Sequence, residues 1–250
     1  MIKNLKASLG ILRSIAIYYW KPFNRRRLKK FYSQFINQND LCFDIGAHLG
    51  NRTDAWDLLG AKVIALEPQP QCMTYLQKRF GNKSNLILVE KAVGSKPGKA
   101  SFFISELTPT ISTMSDKEWR STIADDTSFK INWEKEIKVE VVTLDQLIEQ
   151  FGVPKFCKID VENFELEVLK GLSQPIPALS LEYYSSNMDM TLKCIDQLEL
   201  IGNFEYNWTH AESQNFNASS WLTAEQLKTS FSSIKKKGVS GDFYARISKS

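Results

Sequence analysis

The stretch that decides the fold is Leu41–Gly50, LCFDIGAHLG. Apolar Leu41, Cys42 and Phe43 run as a strand into Asp44, and Gly46 and Gly50 follow at once. A buried strand that ends on a carboxylate and passes into residues without side chains marks a strand–loop–helix corner. In open parallel sheets, ligands bind outside the carboxyl ends of the strands, where the strand order reverses. Asp44 stands at such an end. Gly46 lets backbone come close to a ligand, Gly50 relieves crowding where the helix begins, and free N–H groups at that helix start favour an anionic group. A dinucleotide fingerprint would read G-x-G-x-x-G. Here the two glycines enclose AHL, so His48 falls where the second glycine would be and obstructs a pyrophosphate. A smaller anion, such as an amino-acid carboxylate, still fits.

Outward from this corner, NRTDAWDLLG reads as a helix ending on Gly60, KVIALEP as a strand, QCMTYLQKRFG as a helix closed by Gly81, and LILVEKAV as a third strand. That β-α-β-α-β order with short connections predicts a parallel sheet with right-handed crossovers. Further on, KASFFI reads as an edge strand, IKVEVVTLDQLIEQFG as strand then helix, KFCKID as a buried strand, FELEVLKG as a helix and ALSLEYY as a strand. MTLKCIDQLELIG is a helix, and FEYNWTH and GDFYARI are closing strands. The polar stretch 105–136 is longer than packing requires and is a candidate substrate loop or lid.

The second strand ends on Glu67, followed by Pro68. A carboxylate there can accept hydrogen bonds from both vicinal hydroxyls of a ribose. Ala92 and Val93, at the end of the third strand, face the place where an adenine ring would lie.

The chain has 250 residues, 43% hydrophobic and 24% charged, enough for one large domain with an appendage. Its four cysteines are widely spaced without a CxxC pair, which points to a reducing compartment and neither a disulfide framework nor a zinc site. Two histidines are too few for a metal cluster. Residues 1–30 carry nine Lys/Arg and no acid, whereas the remainder holds 23 Lys/Arg against 28 Asp/Glu, net −5. Within this basic arm Ile2, Leu5, Leu9, Leu12 and Ala16 recur near helical spacing. It lacks the layout of a secretory signal, and its apolar stretch, broken by Arg13, is too short to span a bilayer. Two readings stand: a helix packed on the body, or an interfacial helix held against anionic lipid. One basic segment on an acidic body supports nucleic-acid binding weakly. The expected organisation is a basic amphipathic segment over 1–38 and a domain over 39–250.

Taken in order, DIGAHLGNRT, ALEPQP, EKAVG, VTLDQL and KIDVENFELEVLKG followed by LSLE resemble the FkbM family of S-adenosylmethionine-dependent methyltransferases. The resemblance runs from about Leu41 to Glu182. It implies a class I, Rossmann-like α/β fold with a seven-stranded sheet whose last strand is antiparallel, S-adenosyl-L-methionine as cofactor, and O-methylation of sugars, often of polysaccharides, or of other small-molecule hydroxyls. Carried over by position, Asp44, Gly46, Ala47, Gly50 and Thr53 would line the methionine part of the cofactor. Glu67 would take the ribose, Ala92 would neighbour the adenine, and Asp160 would face the cofactor. His48 and Asn163 depart from the family pattern, which usually has asparagine and glycine there.

Methyl transfer to a hydroxyl needs alignment of oxygen, methyl and sulfur, and a base to receive the hydroxyl proton. Asp160 and Glu162, with Glu182 one strand along, are the candidates for base or acceptor anchor. These carboxylates could instead hold a divalent ion, but no histidine accompanies them and no metal ligand is assigned. Glu165 and Glu167 read as an exposed helix face. Tyr183, Tyr184, Trp119 and Trp133 could stack on a sugar or fill core. The competing functions are an NAD(P)-dependent oxidoreductase, opposed by the glycine spacing, and a non-catalytic Rossmann-like module in glycan assembly. The expected location is cytoplasmic, with peripheral contact at the inner membrane face through the basic arm.

Overall fold

The computed structural model describes residues 2–19, 23–115, 117–126, 131–234 and 238–248, without the side chains of 2–7, 17, 18, 122 and 124–126. Lys3, Lys6 and Lys21 of the basic arm therefore lie outside the described side chains. The first half comprises α1 (Ile2–Tyr19), α2 (Asn24–Tyr32), β1 (Leu41–Ile45), α3 (Asn51–Asp57), β2 (Lys62–Leu66), α4 (Pro70–Phe80), β3 (Leu86–Val89), β4 (Ala92–Val93), β5 (Gly98–Ile104) and α5 (Lys117–Asp126). The second half comprises β6 (Lys135–Val142), α6 (Leu144–Phe151), β7 (Phe156–Ile159), α7 (Glu165–Leu169), β8 (Ala178–Tyr184), α8 (Met188–Ile201), β9 (Phe204–Trp208), α9 (Ala224–Ser232) and β10 (Ser240–Ile247).

The main sheet has seven strands in the order β3-β2-β1-β7-β8-β10-β9. β3, β2, β1, β7 and β8 pair in parallel, and β10 runs antiparallel to both β8 and β9. This is the class I, Rossmann-like arrangement with its late antiparallel strand, and order reverses beside β1. Alternation along the strands supplies both cores. Phe43, Ile45, Ile64, Leu66, Cys157 and Ile159 point to the face covered by α6, α7, α8 and α9. Cys42, Val63, Ala65 and Phe156 point to the opposite face, beneath α2, α3 and α4. Side chains alternate across a strand, so a strand buried on both faces reads as a continuous apolar run. All four cysteines are free and buried.

Several boundaries differ from the sequence reading. The third strand stops at Val89, and Ala92–Val93 forms β4 in a second sheet of order β4-β6-β5. The stretch 105–136 carries a short 3-10 turn at Pro109–Ile111 and the helix α5, held to β5 by a bridge between Phe103 and Thr113. α9 was not apparent in the sequence; Thr223 caps it, accepting from the Gln226 N–H while the Gln226 side chain accepts from the Thr223 N–H. Leu28, Phe31, Tyr32, Phe35 and Ile36, from the segment set apart as an arm, are buried in the core with Trp56 and Phe156. Among the described residues, no helix is long and apolar enough to cross a membrane.

Candidate active site

The site forms at the carboxyl ends of β1, β2 and β7. After Ile45 the chain turns through Gly46 at φ +82°, and the N–H groups of Gly46 and Ala47 both donate to the Leu66 carbonyl. A Cβ on Gly46 would lie 1.8 Å from the Asp160 carbonyl oxygen, so the close approach that demands glycine is made by the protein's own backbone. Gly50, at φ +77°, caps α3, and a Cβ there would lie 2.7 Å from Leu76 Cδ2 and Phe80 Cε2.

The carboxylate that ends β1 has a structural partner. Asp44 Oδ2 accepts from the Thr53 N–H at 3.1 Å and from the Thr53 hydroxyl at 2.5 Å. The anion favoured by the start of α3 is therefore Asp44 itself, which satisfies one N–H that the helix leaves open. Asp44 and Thr53 are buried, and with Ala47 and Gly50 they stand behind the loop and do not line the cavity that it bounds. Burial raises the Asp44 carboxyl pKa, against the pull of the Thr53 hydrogen bond.

That cavity is bounded by Gly46, His48, Glu67, Ala92, Asp160 and Glu162, with Pro109, Thr110, Ser112 and Met114 along one wall. Pro68, Gln69 and Val93 also line it. Glu67, 5% exposed, has its Oε1 hydrogen-bonded by the Gln69 N–H and its Oε2 by the His48 N–H, each at 2.8 Å. Each oxygen keeps a lone pair for a further donor. Burial pushes the carboxyl up to about 7, although the two N–H groups oppose the shift. His48 takes a left-handed backbone at φ +49°, and burial lowers its ring pKa to about 4, so the imidazole is neutral at physiological pH.

Asp160 and Glu162 line the same cavity, and with Glu182 each offers a carboxylate oxygen within 4.8 Å of the other two, a set that can share protons or hold a divalent cation. Behind them Lys158, 2% exposed in the middle of the sheet, sits 2.7 Å from Asp160 Oδ2 and 3.3 Å from Asp242 Oδ1. Burial alone would raise Asp160; the Lys158 ammonium overrides it and holds that carboxyl below its usual range. Glu162 and Glu182 are pushed far up, first by burial and then by the negative charge of Asp160. Neighbouring carboxylates oppose one another's ionisation, so Asp160 is favoured as the anion and Glu162 and Glu182 are favoured to hold protons. Tyr184 donates to Glu162 Oε2 at 2.8 Å.

The turn that presents Glu162 is strained: Glu162 and Asn163 have φ of +56° and +69° in succession. Asparagine tolerates this backbone and glutamate does so less readily. Both carbonyls are held from the 105–136 segment. The Thr113 hydroxyl donates to the Glu162 carbonyl at 2.6 Å, and the Ser115 hydroxyl to the Asn163 carbonyl at 2.8 Å. Asn187 Nδ2 donates to Asn163 Oδ1.

Among the acidic and aromatic residues singled out in the sequence, Glu165 departs from its expected place. Glu165 is buried, not exposed; its Oε1 accepts from the Val161 N–H and burial pushes it up to about 7. Glu167 does lie at the surface, paired with Lys170. Tyr183 is core, its ring centroid 4.7 Å from that of Phe231. Trp119 and Trp133 pack on each other at 6.4 Å, and Trp133 Nε1 donates to the Ile111 carbonyl. Lys158, Asp242, Thr113 and Ser115 escaped the sequence reading. Only Lys158 left a signal there, as a charge inside the apolar run KFCKID, where an unpaired lysine is almost never buried.

Comparison with known proteins agrees with this arrangement. A family model described as "Methyltransferase FkbM domain" matches residues 44–206, from the Asp44 corner through the carboxylate trio to β9. The chain belongs to the FkbM methyltransferase family. It is 26% identical over 146 residues to hexuronic acid methyltransferase AglP of Haloferax volcanii, covering 57% of this chain and 54% of AglP. The chain thus spans about half the length of the curated relative it matches. Among solved structures it is similar to precorrin-6y C5,15-methyltransferase of Geobacter metallireducens, at 12% identity and a TM-score of 0.47 over 90% of this chain and 87% of that one. It is also similar to a TehB-like methyltransferase of Corynebacterium glutamicum, at 8% identity and a TM-score of 0.45 over 94% of each. The strand order itself carries the fold assignment.

Proposed function

We propose that this FkbM-family chain is an S-adenosyl-L-methionine-dependent O-methyltransferase acting on a sugar hydroxyl. The observation that carries the reading is one cavity lined by the buried acid Glu67 and by Asp160 and Glu162, with Glu182 grouped beside those two carboxylates. The residues fit the cofactor: Glu67 would accept from the ribose hydroxyls, Ala92 and Val93 would flank the base, and Gly46 and His48 would face the amino-acid part. The cofactor supplies an electrophilic methyl group on a positive sulfur.

The chain's own residues supply alignment and proton acceptance. Glu162 lines the cavity, and its raised pKa makes its ionised form a stronger base than an ordinary carboxylate. In that ionised form, reached once its own proton has gone to solvent, it is the base that takes the acceptor hydroxyl's proton. Tyr184 fixes its orientation. Asp160, kept ionised by Lys158, anchors a second hydroxyl of the acceptor, and Glu182 holds a proton beside it. The Pro109–Met114 wall excludes water. A carboxylate trio that binds vicinal hydroxyls suits a sugar, and the name of AglP, a hexuronic acid methyltransferase, points to a hexuronic acid. The four free cysteines suit the cytoplasm.

The test is incubation with a labelled methyl donor and hexuronic-acid glycans, read by mass spectrometry. Label at a ring hydroxyl supports the reading. Tight binding of S-adenosylhomocysteine with no transfer to any sugar refutes it in favour of a non-catalytic module.

A further inference from the structure

We propose that the outer face of the N-terminal helix pair docks on an anionic lipid bilayer, independently of the acceptor just argued. α1 sits on the body by a face of small residues. Gly10 is buried, with a would-be Cβ 2.1 Å from the Glu106 carbonyl oxygen and 3.0 Å from Pro109 Cγ. Ser14, one turn on, is 2% exposed. At about 100° per residue, Leu9 and Leu12 stand about 100° and 160° from Gly10 around the helix. They are 50% and 61% exposed. Over Leu9–Ser14 the helix is thus inverted relative to an ordinary surface helix: Gly10 and Ser14 face the protein, and Leu9 and Leu12 face outward.

The next element adds charge. Phe23, 71% exposed and at φ +59°, leads into α2. α2 buries Leu28, Phe31 and Tyr32 and turns Arg26, Arg27, Lys29 and Lys30 outward. Among the described residues these four cations form no ion pair, whereas Arg25 is bound to Asp54 at 2.6 Å. Residues 1–30 contain no acid, and the rest of the chain is net negative. A bilayer of anionic lipid attracts this face, repels the acidic body, and takes leucine and phenylalanine side chains between its headgroups. A second copy would set like charge against like charge. A nucleic acid would leave Leu9, Leu12 and Phe23 without an apolar partner.

The full chain is to be floated with vesicles of phosphatidylcholine alone or mixed with phosphatidylglycerol. Flotation is expected with the anionic vesicles only, with partial release by high salt and a remainder held by the apolar side chains. Lys29→Glu with Lys30→Glu should weaken vesicle binding by at least tenfold, at about fivefold per cation lost. Leu9→Ser with Leu12→Ser and Phe23→Ser should abolish salt-resistant residual binding. Unchanged S-adenosylhomocysteine affinity and melting temperature in both variants establish that the body is folded. The proposal is overturned if the wild-type chain stays unbound with anionic vesicles, if neutral vesicles bind equally well, or if both variants float like wild type. It is overturned equally if light scattering shows a dimer broken by the leucine substitutions while vesicles bind nothing, or if oligonucleotides bind and vesicles do not.

Discussion

Glu67→Gln is the most informative perturbation of the cavity. The carboxylate holds one backbone N–H on each oxygen, at 2.8 Å, and is pushed up to about 7 by burial. The glutamine amide keeps one acceptor oxygen and turns an N–H₂ toward the other backbone donor. A ribose would lose one charge-assisted hydrogen bond, worth about 1.5–3 kcal/mol, or roughly 10- to 150-fold in affinity. The pH dependence is sharper still. Only the ionised carboxyl accepts from both hydroxyls, so with a pKa of about 7 roughly one molecule in ten is competent at pH 6, and apparent affinity is about tenfold weaker than at its high-pH plateau. Titration calorimetry with S-adenosylhomocysteine between pH 6 and 8.5 should show wild-type affinity rising through about pH 7 and Glu67→Gln affinity nearly flat. Stability moves the other way. A carboxyl whose folded pKa lies above its unfolded 4.5 favours the folded state when protonated, so this group's contribution falls as pH rises from about 4.5 to about 7. The wild-type minus Glu67→Gln difference in unfolding free energy should therefore decline by up to about 3 kcal/mol across that window. Equal affinities within twofold at pH 8, together with parallel pH profiles, would falsify the ribose assignment.

Glu162→Gln should lower methyl transfer by about 10²–10⁴-fold, the usual reach of a positioned base, and leave S-adenosylhomocysteine affinity within a fewfold; loss of cofactor binding instead would assign Glu162 to the cofactor. Wild-type turnover should climb with pH as the raised carboxyl ionises, and the variant should lose that climb. Thr113→Val removes the donor to the Glu162 carbonyl and the acceptor of the Ser115 N–H. Denaturant unfolding should show a loss of about 1–3 kcal/mol, and turnover should fall more than cofactor affinity, because the strained turn loses its brace. Lys158→Met takes the ammonium from Asp160, whose side chain is 32% exposed, and from buried Asp242, which keeps Arg52 at 3.9 Å, for a loss of about 1–3 kcal/mol near neutral pH. That loss should shrink as pH falls and the two carboxyls protonate; a pH-independent deficit would mean that the lysine acts only by packing.

The sheet was legible because strands buried on both faces write continuous apolar runs: LCFDI, KVIAL and FCKI each supply both cores. The Asp44–Gly50 corner was legible because positive φ at Gly46 and Gly50 demands glycine. The role of Asp44 was not, since a carboxylate at a strand end looks the same whether it binds a ligand or caps a neighbouring helix through Thr53. Glu165 was misplaced for a similar reason: its helical position gives an outward face, but α7 is only five residues long and Glu165 turns back to the Val161 N–H. The Thr113–Glu162 and Ser115–Asn163 bonds span 49 and 48 residues. Hydroxyls so far from their partners carry no periodicity, and their pairing is created by the bridge between Phe103 and Thr113. The N-terminal arm was half legible. Its charge was visible, but the inversion of α1 depends on Glu106 and Pro109 meeting Gly10.

The division of charge in the carboxylate trio bears on rate as well as on proton transfer. On the proposed reaction, the donor's positive charge disperses as the methyl group leaves sulfur. Three ionised carboxylates beside it would stabilise the cationic ground state more than the transition state and raise the barrier, because only differential stabilisation accelerates a step. Lys158 offsets Asp160 from behind, and burial keeps protons on Glu162 and Glu182, so the cavity wall carries far less negative charge than its composition suggests. Glu162 has to release its proton to solvent before it can accept the acceptor's, so turnover follows its ionised fraction and rises with pH. A site of this kind binds a sulfonium without holding it back, and the buried lysine in the middle of β7 is the residue that makes the difference.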